Sequence, residues 1–107
     1  AVAIGWLLEE SPKQLEGIIN NMVANTAGII CDGAKVGCAL KLATSASAAV
    51  QSALLAKEGM IVPNLNGLVG HTVEESIRNI GKLSVDGMNY TDKLILEVMR
   101  DMQNVIV

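Results

Sequence analysis

Residues 34–58 read AKVGCALKLATSASAAVQSALLAKE, and this stretch predicts the longest helix of the chain. Alanine has the highest helix propensity, and small side chains on one helix face let a neighbouring helix approach closely. Gly59 suits the position just past a helix end. We therefore expect a helix that lies buried at the centre of the fold. Its alanines recur three or four residues apart, at Ala39, Ala43, Ala46, Ala49, Ala53 and Ala56.

Three further helices are indicated by capping residues and by apolar residues at helical spacing. A capping box at Ser11–Gln14 begins the first, and its apolar stripe continues to Ile30. A second capping box at Thr72–Glu75 begins the next helix, which Asp86-Gly87 is expected to end. Asn89 or Thr91 begins the last. No segment alternates apolar and polar residues over the length of a strand, so the sequence predicts an all-α fold. The stripe of the last helix consists of Leu94, Ile95, Val98, Met99, Met102, Val105 and Ile106.

The 107 residues predict one helical domain over residues 1–107, a compact bundle of about four to five helices around the Ala-rich central helix. Half of the residues are apolar, the net charge is −3, and Trp6 and Tyr90 are the only aromatic residues. The chain thus lacks the basic surface and the stacking aromatics by which proteins bind nucleic acid. The longest apolar run, residues 42–56, is shorter than the roughly 20 residues of a membrane span and contains polar side chains. We expect a cytoplasmic protein that binds neither nucleic acid nor membrane.

The chain begins Ala1-Val-Ala-Ile-Gly without a methionine, which resembles the end of a truncated helix. We therefore expect a fragment of a longer protein, whose missing part would be a partner. The fragment would expose apolar surface at Trp6, Leu7, Leu8 and the alanine face of the central helix. Exposed apolar patches associate, so a homo-oligomer of the fragment is compatible with the sequence.

Both cysteines of the chain lie in residues 30–38, ICDGAKVGC. On a continuous helix their spacing would hold them about 10.5 Å apart along the axis. The Asp32-Gly33 turn interrupts the helix, so the chain can fold back and bring both sulfurs to one point. Helical N–H groups after this turn, together with Lys35, would lower the thiol pKa values and attract an anion.

These residue types leave the role of the cysteines open. Free cysteine packs as a small hydrophobic residue, so Cys31 and Cys38 could simply be buried thiols. His71 is the only histidine and has no cysteine nearby in sequence, so neither a catalytic triad nor a histidine metal site is indicated. We expect His71 to be a surface residue.

Around the cysteines the chain resembles the L-cysteine desulfidase family, which is related to the α-chain of iron–sulfur L-serine dehydratases. In that family a much longer chain converts L-cysteine and water to pyruvate, ammonia and hydrogen sulfide. The resemblance implies that this chain is the C-terminal part of such a lyase, acting on a small amino acid. It is carried by Asn21-Met22, Gly28–Lys35 and Gly37–Lys41, and downstream by Gln51–Ala53, Thr72–Glu75, Ile77–Asn79, Gly87-Met88 and Thr91–Lys93.

The resemblance also implies a cofactor, a [4Fe–4S] cluster held by three cysteines with one iron open to the substrate. Cys31 and Cys38 match two of these ligands. The third ligand and the catalytic base belong to earlier parts of the family's sequence, so we expect no catalytic residue here. The isolated fragment is then expected to lack the cluster and to be inactive. Asp32 and Lys35 are candidates for substrate or supporting roles; alternatively, Asp32 caps the next helix and Lys35 is solvated.

Three alternatives remain open at the level of sequence. The first is deamination of L-serine, since no residue of this sequence indicates which side chain the substrate carries. The second is a thiol–disulfide switch formed by Cys31 and Cys38. The third is a non-catalytic helical interaction module, which would dock through the alanine face and the stripe at Met99 and Met102. Those faces are more simply explained as core.

Overall fold

The computed structural model describes residues 1–104, which form five α-helices. A π-helical turn at Leu83–Gly87 joins the last two, and the described residues contain no β-strand. The predicted all-α fold is confirmed. The helices are α1 (Val2–Leu7), α2 (Pro12–Thr26), α3 (Gly37–Lys57), α4 (Val73–Lys82) and α5 (Met88–Gln103).

The buried core lies where α1, α2 and the C-terminal half of α3 meet. Ile18 of α2 is fully buried against Ala53 and Ala56 of α3. The small alanine side chains allow this close approach of the two helices. Gly17 of α2 leaves room for Ile61, in the segment that follows α3, because a Cβ atom at position 17 would lie 2.6 Å from Cγ1 of Ile61.

Asn21 joins α2 to α3 and to the segment that follows α3. Its side-chain Nδ2 donates hydrogen bonds to the backbone carbonyls of Ser52, at 3.2 Å, and of Met60, at 3.0 Å. Its Oδ1 accepts a hydrogen bond from the backbone N–H of Val62, at 2.9 Å. Asn21 is itself buried, its bond to Ser52 is buried, and its bonds to Met60 and Val62 are partly buried. Together these bonds fix the relative position of the three segments.

The prediction of a buried central helix is correct for only half of α3. Its buried residues all lie between positions 48 and 56, whereas Leu40 and Leu42 near its N-terminus are 74% and 72% exposed. The predicted boundaries also shift. α2 ends at Thr26, because Gly28 adopts a φ of +105° that ends the helix before Ile30.

The predicted break at Asp86-Gly87 is absent, because the chain passes through the π-helical turn directly into α5. Thr72 caps α4 as predicted, with its side chain accepting from the N–H of Glu75. The α5 stripe was expected to be core, but no residue of α5 is buried. Within that stripe, Val105 and Ile106 lie outside the described residues.

α3 is the one helix in residues 1–104 that is long and apolar enough to cross a membrane, by length and composition alone. Core helices of soluble proteins pass the same criterion. The C-terminal half of α3 packs on α2 through Ala53 and Ala56, whereas the N-terminal half is largely exposed.

Candidate functional site

The segment between α2 and α3 carries the cysteines and folds back sharply. Gly28, Gly33 and Ala34 all have positive φ values, of 105°, 113° and 53°. At Gly33 this backbone conformation favours glycine, and the space is closed as well. A Cβ atom there would lie 2.8 Å from Cε of Met99, so α5 contacts this turn.

The fold-back brings the two thiols together. Cys31 is exposed and Cys38 is partly buried at the start of α3; neither is in a disulfide, and they lie within hydrogen-bonding reach of each other. The nearby backbone N–H groups of Gly33 and Ala34 lower the pKa of the Cys31 thiol. The Cys38 side chain and the charge of Lys41 lower this pKa further. These interactions favour the thiolate form of Cys31, which is the form that binds metals.

Asp32 pairs with Lys41, a residue that the sequence analysis did not single out. The Lys41 ammonium donates to the Asp32 carboxylate, which lowers the pKa of Asp32 and raises the pKa of Lys41. The signal in the sequence is the three-residue spacing from Cys38, which places both residues on one face of α3. Asp32 does not cap α3, because the N-cap residue of that helix is Val36 and no side chain caps the helix.

Lys35 lies exposed on the turn, as its alternative role predicted. Its backbone carbonyl accepts a hydrogen bond from the N–H of Cys38, at 2.9 Å. The side chain that brings positive charge to the thiols is thus Lys41, while Lys35 contributes its main chain to the turn.

Two cavities flank the cysteine-bearing segment. Cys31 lines one of about 330 Å³ that also touches the π-helical turn and α5. The other, of about 380 Å³, lies on the side of Leu40 and Lys41. Residues 28–30 line both, so this segment forms a wall between them.

His71 is exposed as predicted and belongs to the start of α4. Its Nδ1 lies 3.0 Å from Oε2 of Glu75, and its backbone N–H donates to the same oxygen at 2.6 Å. These contacts lower the pKa of Glu75, the backbone hydrogen bond most strongly. They tie the loop before α4 to its first turn.

Within residues 1–104, no group of three or more histidine, cysteine or acidic side chains is arranged to hold a metal ion. The described site offers two adjacent thiols, backbone N–H donors and one lysine. A metal centre on this surface would therefore need further ligands from outside these residues.

The sequence model of the serine dehydratase alpha chain family matches residues 1–97. The chain belongs to this family. The match extends from α1 into α5 and includes both cysteines. No solved structure matches the chain significantly.

Relatives of the chain include UPF0597 proteins. One from Clostridioides difficile is 57% identical over 102 residues, which cover 95% of this chain and 24% of that protein. Another from Alkaliphilus oremlandii is 53% identical, covering 98% of the chain and 24% of the relative. A third, from Caldanaerobacter subterraneus, is 46% identical over 92% of the chain and 23% of the relative. The chain thus spans about a quarter of the length of these curated relatives, consistent with a fragment of a larger protein.

Proposed function

We propose that this chain is the cluster-binding part of a cytoplasmic iron–sulfur lyase that degrades L-cysteine to pyruvate, ammonia and hydrogen sulfide. The observation that carries the proposal is the pair of free thiols, Cys31 and Cys38, within hydrogen-bonding reach on a turn. Membership of the serine dehydratase alpha chain family supports lyase chemistry in the whole protein. The remaining ligand and the base would come from the part of the protein outside this chain.

The donor set at this turn fits part of an iron–sulfur site. Cys31 and Cys38 would supply two thiolate ligands, and an iron with an open position would supply Lewis-acid chemistry. The N–H groups of Gly33 and Ala34 stabilise negative charge on the Cys31 sulfur. Lys41 adds positive charge beside both sulfurs and holds the carboxylate of Asp32 through an ion pair.

Asp32 and Lys35 have separable roles in this proposal. Asp32 orients Lys41 toward the thiols, while the exposed Lys35 is available to a substrate carboxylate. Lys35→Met in the full-length protein should raise the KM for the amino acid and leave the iron content unchanged. An unchanged KM and rate would remove Lys35 from the site.

The family match favours a second candidate, deamination of L-serine by the same site. Both reactions remove an α-proton and expel the group on the β-carbon, and they differ in the leaving atom. None of the described residues distinguishes the two leaving atoms, so turnover of the two substrates has to be compared directly.

The test uses the full-length protein, purified without oxygen, with Cys31→Ser and Cys38→Ser as variants. Ser47→Ala, an exposed change later on α3, is the matched control. We measure iron content, visible absorbance, and pyruvate released from L-cysteine and from L-serine. Loss of iron, colour and turnover in both cysteine variants, with retention in the control, supports the proposal. Retained iron and turnover would overturn it, and a reversible disulfide would identify a redox switch instead.

A further inference from the structure

The cavity beside Cys31 has a volume of about 330 Å³, at the lower end of the range for small-molecule sites. The Cys31 segment forms one wall, and α4, the π-helical turn and α5 form the other. Apolar side chains line most of it, including Ile80, Leu83 and Met88. A cavity of this size and character suits a small molecule with a short side chain.

Three polar side chains line this cavity. The hydroxyl of Thr26 already donates to the carbonyl of Met22, at 2.7 Å. Ser84 lies in the π-helical turn, and Asp92 lies in α5. Asp92 is the only acidic residue among the described residues of the lining, and no lysine, arginine or histidine in residues 1–104 pairs with it.

The π-helical turn brings Ser84 and Asp92 to the same side. Positions 80, 84, 88 and 92 are four residues apart, and all four line the cavity. Residues at this spacing share a helix face, and the wider π turn keeps them aligned across Leu83–Gly87. Ser84 and Asp92 therefore lie on the wall formed by α4, the π-helical turn and α5, while Cys31 lies on the other wall.

We infer that Asp92 binds the α-ammonium group of the amino-acid substrate, a role that rests on the proposed function. An ammonium group beside a carboxylate forms a charge-assisted hydrogen bond, and the hydroxyl of Ser84 can accept a second one. The apolar lining then accommodates only a short side chain. Asp92 is a positioning residue, since it sets the orientation of the substrate relative to Cys31 and takes no part in bond breaking.

The experiment measures ligand discrimination in the full-length protein. The probes are L-alanine, which carries the ammonium group but no leaving group, and propionate, which lacks the ammonium group. Inhibition constants for both are compared in the wild type, Asp92→Asn and Asp92→Glu. Asp101→Asn, which removes an exposed carboxylate of α5 that does not line the cavity, is the control.

Asp92→Asn should raise the inhibition constant of L-alanine about 10- to 100-fold and leave the inhibition constant of propionate nearly unchanged. Asp92→Glu, which restores the charge, should recover part of the discrimination, and Asp101→Asn should match the wild type. Iron content should stay constant in all three variants. A preference for L-alanine that persists in Asp92→Asn, or that falls equally in Asp101→Asn, overturns the inference.

Failure of this inference is distinct from failure of the proposed function. If the cysteine variants keep their iron, the cluster proposal falls, whatever Asp92 does. If those variants lose iron while Asp92→Asn still distinguishes the two probes, only the assignment of Asp92 falls. Direct binding of L-alanine by calorimetry separates the cases without any turnover.

Discussion

Asn21 offers the clearest test of what holds the two long helices together. Replacement by alanine leaves the carbonyls of Ser52 and Met60 and the N–H of Val62 without their partner. A buried orphaned group costs about 1–3 kcal/mol and a partly buried one less, so one buried and two partly buried groups should together cost about 2–4 kcal/mol. A domain of this size has only about 5–15 kcal/mol of stability, so the effect will be large.

Asn20→Ala is the matched control, since the neighbouring asparagine also bonds the segment after α3. Its Nδ2 donates to the carbonyl of Val62 and to Oδ1 of Asn64, both at 3.0 Å, but one of these bonds is exposed and the other only partly buried. Water can replace the lost partner there, so we expect a loss of about 1 kcal/mol. Urea unfolding followed by circular dichroism measures both. Equal losses in the two variants would refute burial as the origin of the difference.

The pH dependence of the stability of Asn21→Asp tests the same hydrogen bonds. A carboxylate would keep the acceptor for Val62 but face the carbonyls of Ser52 and Met60 without a proton to donate. Burial and these carbonyls should raise the pKa of the new carboxyl in the folded state. Its protonated form is then favoured by folding, so the variant should recover stability as the pH falls and lose it as the pH rises through the raised pKa. A loss that is constant with pH would contradict the hydrogen-bond assignment.

Three further predictions concern the cysteine-bearing segment. Lys41→Met should raise the pH midpoint for alkylation of Cys31, because a positive charge near this thiol is lost. The measurement is made in a background in which Cys38 is replaced by serine. An unchanged midpoint would exclude this charge effect. The lowered pKa of Asp32 implies a stabilising contribution that is present above the ordinary value of 3.8 and lost as the pH falls through the lowered one. The melting temperatures of wild type and Asp32→Asn should therefore converge in acid, and a constant gap would refute the ion pair. Gly33→Ala should destabilise the chain by roughly 1–2 kcal/mol, whereas Gly37→Ala, with open space and a helical backbone, should stabilise it by about 0.5–1 kcal/mol in urea unfolding. The same sign for both would contradict the role of the Gly33 backbone.

Local sequence signals predicted those parts of the fold that depend on neighbouring residues. The capping box at Ser11–Gln14 is present with both of its hydrogen bonds, and Thr72 caps α4. The sequence did not predict where a helix ends when the end depends on the backbone conformation of a single residue. Gly28 could have continued the helix or ended it, and its left-handed conformation cannot be read from the residue type. The Asp86-Gly87 dipeptide was equally ambiguous, and here the chain accommodates it in a π turn.

The candidate site was predictable in its residues but only partly in its contacts. The turn at Asp32-Gly33 explained how two cysteines seven positions apart could meet. The choice of Lys41 over Lys35 depends on the direction in which α3 leaves the turn, which is a tertiary property. The cavity with Ser84 and Asp92 depends on packing between segments more than 50 residues apart, and no local sequence pattern predicts it.

The two halves of the molecule differ in how well they bury their apolar residues, and this bears on the proposed function. Around Ile18 the helices form a closed core, whereas the thiol-bearing end leaves Leu40 and Leu42 largely exposed and α5 without a buried residue. A site with two thiols and an open cavity lies at that exposed end. The chain spans about a quarter of the length of its relatives. Under the proposed function, the remaining ligands come from outside this chain. If the same contact also covered α5, apolar burial and metal binding would be gained together.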